Sequence, residues 1–310
     1  MRSTTRPEIT RDLRYRWTYF CDSLRQMIRR WMHRLQKRQE QTVCWPRWQE
    51  KANNNLKYKA QRLSTCIITM NSADRIRPLL EYIRPWSDEI VVGVDSKTTD
   101  NTFEVCRDLA DELFWIDNQA QTCNGGLEAL VSHCHSDWVL RLDDDEFPEP
   151  AFAALKEGIL SQEGYTHYKL PRLHLCAVDS DQQSLTWIDD GYLYPDFQMR
   201  LFRNQKDLLR FPGAVGHTSI QCAGPRGKIS GINLVHLNLA INPRWKREQK
   251  LKTYVERLNG GWVHPVNEYA LMFEDYHYRI KTYLGGDAAF RSLLIETVQG
   301  QVAAYETSLH

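Results

Sequence analysis

No two of the eight cysteines stand at C-x-x-C spacing; they lie at positions 21, 44, 66, 106, 123, 134, 176 and 222. That scatter excludes a disulfide scaffold and fits idle thiols in a reducing compartment. No run approaches the ~18 uninterrupted apolar residues of a membrane-spanning helix. The first residues carry Arg2, Arg6, Arg11 and Arg14 with no apolar block, so a secretory leader is not expected either. The chain has only 16 Gly and 12 Pro and no internal period, which excludes collagen-like, low-complexity and repeat architectures. Net charge is nearly absent as well, at +1 from 40 basic and 39 acidic residues. What remains is ordinary globular material: 310 residues, 42% hydrophobic and 11% aromatic. At ~150 residues per domain that length allows roughly two units.

The near-zero charge is an average of two unlike parts. Through Arg62 there are sixteen Lys and Arg against five Asp and Glu; beyond it there are 24 against 34. In the basic part, Ile9, Leu13, Trp17, Phe20, Leu24, Ile28, Trp31 and Leu35 recur at steps of three or four, which is helical spacing. Thr5 and Glu8 form a capping box with Pro7 in the first turn. Arg11, Arg14, Arg25 and Arg29 fall off the apolar stripe, as in an interfacial amphipathic helix. Residues 9–35 therefore suit an anionic membrane surface, a second copy of the chain, or the protein's own body. Nucleic acid is disfavoured, because no zinc, RRM or KH signature accompanies the charge. Pro46 ends the pattern, and Asn53, Asn54 and Asn55 read as a linker.

Beyond Arg62, strand and helix alternate. Strands are expected at Leu63–Met70, Glu89–Val94, Leu113–Ile116 and Asp137–Leu142. Helices are expected at Arg75–Arg84, from a cap at Asp100 or Asn101 to about Ala110, and at Gly126–Cys134. This order predicts an α/β fold with a doubly wound sheet and helices on both faces. In such sheets ligands sit at the carboxyl ends of strands. Polar residues collect there: Thr69 and Asn71 after the first strand, Asp95, Ser96 and Lys97 after the second, and Asp143-Asp144-Asp145-Glu146 after the fourth. Alternation along a strand would turn Asp143 and Asp145 to one side, toward one Mg²⁺ or Mn²⁺, with Asp144 facing elsewhere. Taken alone, such a run is more often a solvated acidic turn; its place beside two other polar strand ends argues for a site.

Four segments together resemble a family-2 glycosyltransferase of GT-A fold. Ile67-Ile68-Thr69-Met70-Asn71 is similar to the family's opening strand. Val94-Asp95-Ser96-Lys97-Thr98-Thr99-Asp100 resembles its V-D-S-G-S-T-D segment, and Asp137 to Glu146 its strand ending in L-D-A-D-E. Tyr194-Pro195-Asp196-Phe197-Gln198-Met199-Arg200-Leu201-Phe202-Arg203 resembles a segment of its bacterial lipopolysaccharide-core and surface-polysaccharide members. The resemblance implies residues 63–240 as the catalytic domain, 1–62 as a basic helical extension and 241–310 as a mostly helical end. It implies metal-dependent, inverting transfer of a sugar from a nucleotide-sugar, UDP-linked, to an acceptor hydroxyl on a glycan or lipid-linked molecule. Separately, the idle cysteines and the lack of an expected leader or spanning run lead to the expectation of a cytoplasmic protein, peripheral at the membrane face.

The same resemblance distributes roles. Asp95 would bind the base, and Thr69 and Asn71 would line the nucleoside pocket. Asp143 would sit near the ribose or the metal, Asp145 would ligate the metal, and Asp144 between them would join the nucleotide-sugar-binding residues. Lys97 and Arg200 are candidates for the diphosphate. His236 is a candidate further metal ligand, against the commoner structural reading of a histidine in an apolar strand. Asp196 is the first candidate for general base, with Asp190 and Glu146 in reserve; Asp196 would otherwise cap its strand or pair with Arg200 or Arg203. His133-Cys134-His135 lacks the second cluster of a zinc site. Two competing readings are a nucleotidyltransferase, which would need a Gly-rich basic loop where Asn71-Ser72-Ala73-Asp74 stands, and a membrane-bound or scaffold protein with a decayed pocket.

Overall fold

The computed structural model describes residues 41–44, 61–117, 126–179, 184–189, 194–211, 220–249 and 279–308. In chain order these form β1 (Gln41–Cys44), β2 (Leu63–Thr69), α1 (Ile76–Ile83), β3 (Glu89–Asp95), α2 (Thr102–Cys106), β4 (Glu112–Ile116), α3 (Leu127–Ser132), β5 (Trp138–Asp143), β6 (Glu146–Pro148) and α4 (Ala151–Leu160). There follow β7 (His167–Asp179), β8 (Ser184–Ile188), β9 (Asp196–Arg203), the short β10 (Leu209–Arg210) and β11 (Gln221–Cys222), β12 (Arg226–Ser230), β13 (Leu234–His236), α5 (Asn238–Ile241), β14 (Ile280–Thr282) and α6 (Ala288–Ser308). Contacts divide the chain into Met1–Gln41 and Thr42–His310. The basic helix expected over residues 9–35 lies outside the described residues. Among the described residues no helix is long and apolar enough to cross a membrane.

β2 is buried along its whole length, as a central strand must be. It pairs in parallel with β3 on one side and β5 on the other, and β3 pairs in parallel with β4. Beyond β5 the direction changes. β9 is antiparallel to β5 and to β7, and β12 is parallel to β7, giving the order β12-β7-β9-β5-β2-β3-β4. Ile67, Val92, Val94, Leu140 and Leu142 pack with α1, α4 and α6. Cys66, Ile68, Val91 and Val139 pack with Leu127, Leu130 and Val131 of α3. The alternating residues of each strand thus feed two cores, and helices cover both faces as the sequence predicts. Gly93 leaves room for the Ile116 side chain of β4, since a Cβ there would stand 2.1 Å from Ile116 Cδ1.

The structure corrects one local expectation, the length of the second helix, and agrees with three others. The second helix is five residues long, not ten. Asp100 rather than Asn101 supplies its cap, accepting from Thr102 N at 3.0 Å. His133 and His135 turn to separate carboxylates, Glu112 at 2.9 Å and Glu89 at 2.7 Å, while Cys134 is buried; the three do not converge. The five described cysteines, Cys66, Cys106, Cys134, Cys176 and Cys222, are free thiols.

His167 opens β7 and is 5% exposed. Burial, with Arg226 and Lys169 nearby, pulls its imidazole from 6.5 down to about 4. The unfolded chain therefore binds the extra proton first. This contribution to stability is complete above pH 6.5 and is lost as pH falls toward 4. The difference in melting temperature between the wild type and His167→Asn should shrink as pH is lowered from 7 to 5, measured by thermal unfolding at fixed ionic strength.

Candidate active site

The carboxyl ends of β2 and β3 are tied together before any ligand is considered. Asn71 adopts φ +50°, a left-handed conformation that Asn tolerates. That turn aims its Oδ1 at the next loop, where it accepts from Thr99 N at 2.8 Å. Asp100 accepts from Ala73 N at 3.1 Å, and Ser72 N donates to Thr102 Oγ1 at 2.7 Å. Asp95 closes β3, is 4% exposed, and accepts from Lys97 N at 2.9 Å. Lys97 itself lies exposed at the rim.

The acidic run splits in three directions. β5 ends at Asp143 and β6 starts at Glu146, so Asp144 and Asp145 occupy a turn. The alternation expected to pair Asp143 with Asp145 therefore stops one residue too soon. Asp144 points toward β2: it accepts from Thr69 Oγ1 at 2.8 Å and Ser72 Oγ, and pairs with Arg75 Nη2 at 3.0 Å. Asp143 gives one oxygen to Arg141 Nη2 and the other to Arg200 Nη2, each at 2.5 Å. Asp145 lies at the start of β6, its main-chain oxygen accepting from Leu237 N at 2.9 Å. Its Oδ1 stands 3.4 Å from His236 Nε2. Register accounts for that meeting, because β13 runs antiparallel to β6 with His236 opposite Glu146.

Glu146 has no exposure at all. Arg200 Nη2 reaches it at 2.6 Å and Arg172 Nη1 at 3.5 Å, and it accepts from Asp143 N at 3.2 Å. Burial and the Asp143 charge push its carboxyl up, while Arg172 and Arg141 pull it down. It presents no face to an acceptor hydroxyl, which removes the catalytic role considered for it. Arg200, a candidate for the diphosphate, is likewise 4% exposed and committed to Asp143 and Glu146.

Asp196 opens β9 opposite Arg172 of β7. Its Oδ2 takes Arg172 Nε at 2.9 Å and Nη2 at 2.8 Å, and its Oδ1 accepts from Gln198 Nε2 at 2.7 Å. Its partner is thus Arg172, not Arg200 or Arg203. Burial alone would raise this carboxyl, but the Arg172 guanidinium and His174 hold it below the usual carboxylate range. Asp190 lies outside the described residues. The structure therefore gathers Thr69, Asn71, Asp95, Asp143, Asp144, Asp145, Glu146, Asp196, Arg200 and His236 around one end of the sheet. It adds Ser72, Arg75, Arg141, Arg172 and His174, which the sequence reading passed over. Arg75 also reaches α6, donating to Gln301 Oε1 at 3.2 Å.

Among the described residues no three His, Cys, Asp or Glu side chains come together as metal ligands. Asp145 and His236 are the pair that fits one divalent cation. Two ligands each ~2.1 Å from a cation and at right angles stand roughly 3.0 Å apart. The observed 3.4 Å is close to that, and Mg²⁺ commonly takes few protein ligands together with phosphate oxygens and water. Asp143, with both oxygens on guanidinium groups, does not share this position.

Comparison with known proteins places the site in context. Residues 64–160 match the model of Glycosyl transferase family 2. An uncharacterized glycosyltransferase of Rickettsia prowazekii is 32% identical over 89 residues, 28% of this chain and 28% of that protein. One from Rickettsia felis is 33% identical over 89 residues, 28% of this chain and 29% of its own. The match thus spans a little over a quarter of the length of these relatives. Among solved structures, glucosyl-3-phosphoglycerate synthase from Mycobacterium tuberculosis aligns with a TM-score of 0.41 at 17% identity, over 71% of this chain and 88% of that one. The matched family segment runs from β2 through α4, and so contains Thr69, Asp95 and the whole acidic run.

Removing one partner from a buried ionic cluster leaves an uncompensated charge, at a cost of about 3–5 kcal/mol. Arg200→Met should lower the unfolding free energy by about that amount in urea titration. Arg77→Met, whose pair with Glu81 is exposed, should change it by less than about 1 kcal/mol.

Proposed function

We propose that this protein is a divalent-cation-dependent glycosyltransferase that moves a sugar from a nucleotide-sugar, UDP-linked, to an acceptor hydroxyl with inversion. The observation that carries the reading is the convergence of Thr69, Asp95 and the Asp143–Asp145 turn at the carboxyl ends of β2, β3 and β5. That convergence falls inside the segment that matches the family model. The likeness to uncharacterized glycosyltransferases over 89 residues supports it. Residues 63–240 are the catalytic part in this reading.

Each group has a chemical task. Asp95, an acceptor at the end of β3, takes the imide N–H of uracil. Asp144 holds Thr69 and Ser72 in place for the nucleoside through its hydroxyl bonds. Asp145 and His236 hold the cation. When bound, Mg²⁺ or Mn²⁺ offsets the negative charge that grows on the departing diphosphate. Arg75 fixes Asp144 and so the turn that carries Asp145. Asp196 accepts the proton of the attacking hydroxyl, and Arg172 keeps it ionised. Lys97, exposed beside Asp95, meets the diphosphate from the rim in this reading. The acceptor is a glycan or lipid-linked molecule, in keeping with surface-polysaccharide synthesis at the cytoplasmic membrane face, to which residues 9–35 would hold the enzyme.

The direct test is a panel of nucleotide-sugars with Mn²⁺, read as thermal stabilisation. A ligand at 100 times its Kd stabilises the folded state by about 2.7 kcal/mol. A UDP-sugar should raise the melting temperature of the wild type by several degrees. Asp95→Asn should remove most of that shift, and Asp145→Ala should remove the part that needs Mn²⁺. If no nucleotide-sugar shifts the wild type, the reading is wrong.

A second test concerns the base. A carboxyl held below its usual range is ionised throughout pH 5–8, so the wild-type kcat/KM should show no acid limb there from Asp196. Arg172→Met removes the cation that holds the carboxyl down. Its acid limb should move upward, toward or into that window. An unchanged profile in a folded Arg172→Met variant would count against Asp196 as the base.

A further inference from the structure

β7 and β13 run side by side in parallel, and their register sets His174 directly beside His236. Both are buried, His174 at 1% and His236 at 5% exposure. Their rings meet edge to face at 72°, with Nδ1 to Nδ1 at 3.0 Å. The far nitrogen of each ring faces a carboxylate: His236 Nε2 stands 3.4 Å from Asp145 Oδ1, and His174 Nε2 stands 3.7 Å from Asp196 Oδ2. The two carboxylates assigned different tasks above are thus joined by two imidazoles in line.

A nitrogen-to-nitrogen contact needs one donor and one acceptor. When Nε2 of His236 gives its lone pair to a cation, the ring hydrogen of its neutral form sits on Nδ1. His174 Nδ1 must then accept it, which places the His174 hydrogen on Nε2, facing Asp196. Each ring's tautomer fixes the next. An outer partner of this kind fixes the ring orientation of a ligating histidine, and its loss typically weakens metal binding 10- to 100-fold.

Resting on the cation reading of Asp145 and His236, we infer that His174 is a positioning residue. It holds His236 so that Nε2 meets the cation beside Asp145, and with the same ring it contacts Asp196, so cation position and base position are set together.

The test is Mn²⁺ binding by full-length protein in the presence of UDP, followed by the electron paramagnetic resonance signal of free Mn²⁺. UDP binding without metal is measured in parallel by calorimetry. His174→Phe keeps an aromatic ring and removes both nitrogens. It should weaken Mn²⁺ binding 10- to 100-fold while metal-free UDP affinity stays within twofold. His174→Gln, whose amide oxygen can accept from His236 Nδ1–H, should recover part of the loss. Mn²⁺ affinity within twofold of the wild type in the folded His174→Phe variant overturns the inference. So does an equal loss in both, which assigns the effect to packing. A wild type that binds UDP but no Mn²⁺ overturns it together with the cation reading and leaves the nucleotide reading standing.

Discussion

The carboxyl end of this sheet is organised around a buried exchange of charge between three guanidinium groups and three carboxylates. Arg141, Arg172 and Arg200 face Asp143, Glu146 and Asp196. Two arginines are shared: Arg200 Nη2 serves both Asp143 and Glu146, and Arg172 reaches both Glu146 and Asp196. Removing such groups from water is costly, and only close pairing offsets it. The pairing is therefore a geometric constraint. β5, β6, β7 and β9 must keep their relative heights, or a charge is left alone in an apolar setting. On the same turn Asp145 meets His236 of β13.

The cluster also gives residues of one type very different surroundings. Five acidic side chains lie within a few residues or one strand of one another, yet they have different fates. Glu146 and Asp143 are consumed by arginines. Asp144 is consumed by Arg75 and the hydroxyls of Thr69 and Ser72. Asp145 meets a histidine, and Asp196 meets both an arginine and a histidine. Local sequence gives each of them the same chemical type; partners distant in the chain set what each one does.

That difference explains what was readable beforehand. The strands β2, β3 and β5 were legible because they are apolar runs that break off in polar residues, and Thr69, Asp95 and Asp143 mark the breaks. The site's location followed from the sheet rule. The directions of Asp143 and Asp144 did not, because alternation holds only inside a strand and β5 ends at Asp143. β7 was hidden: Lys169, Pro171, Arg172 and His174 interrupt the apolar pattern, and each is explained by a neighbour on another strand or by its ring. The guanidinium partners were hidden for the same reason. Spacing cannot say that Arg172 meets Asp196 across β7 and β9 while Arg200 turns to β5 and β6. Asp100 was readable as a cap because capping is local.

β7 has one further consequence. Its thirteen residues extend roughly 40 Å at ~3.3 Å each, far beyond the reach of its neighbours β12 and β13. Its first part belongs to the main sheet. From Leu175 onward, across an irregularity between Leu175 and Ala177, its last part pairs with β8, which in turn pairs with β14. The strand is thus clamped at its root through Arg172 and His174 and carries at its tip a small second sheet, whose Leu185 and the adjoining Tyr283 pack into the main core. Insertions or exchanges in the β7–β8 hairpin alter the shape of that tip while the clamp holds its root. An architecture of this kind lets one end of the molecule diversify while the other keeps its chemistry.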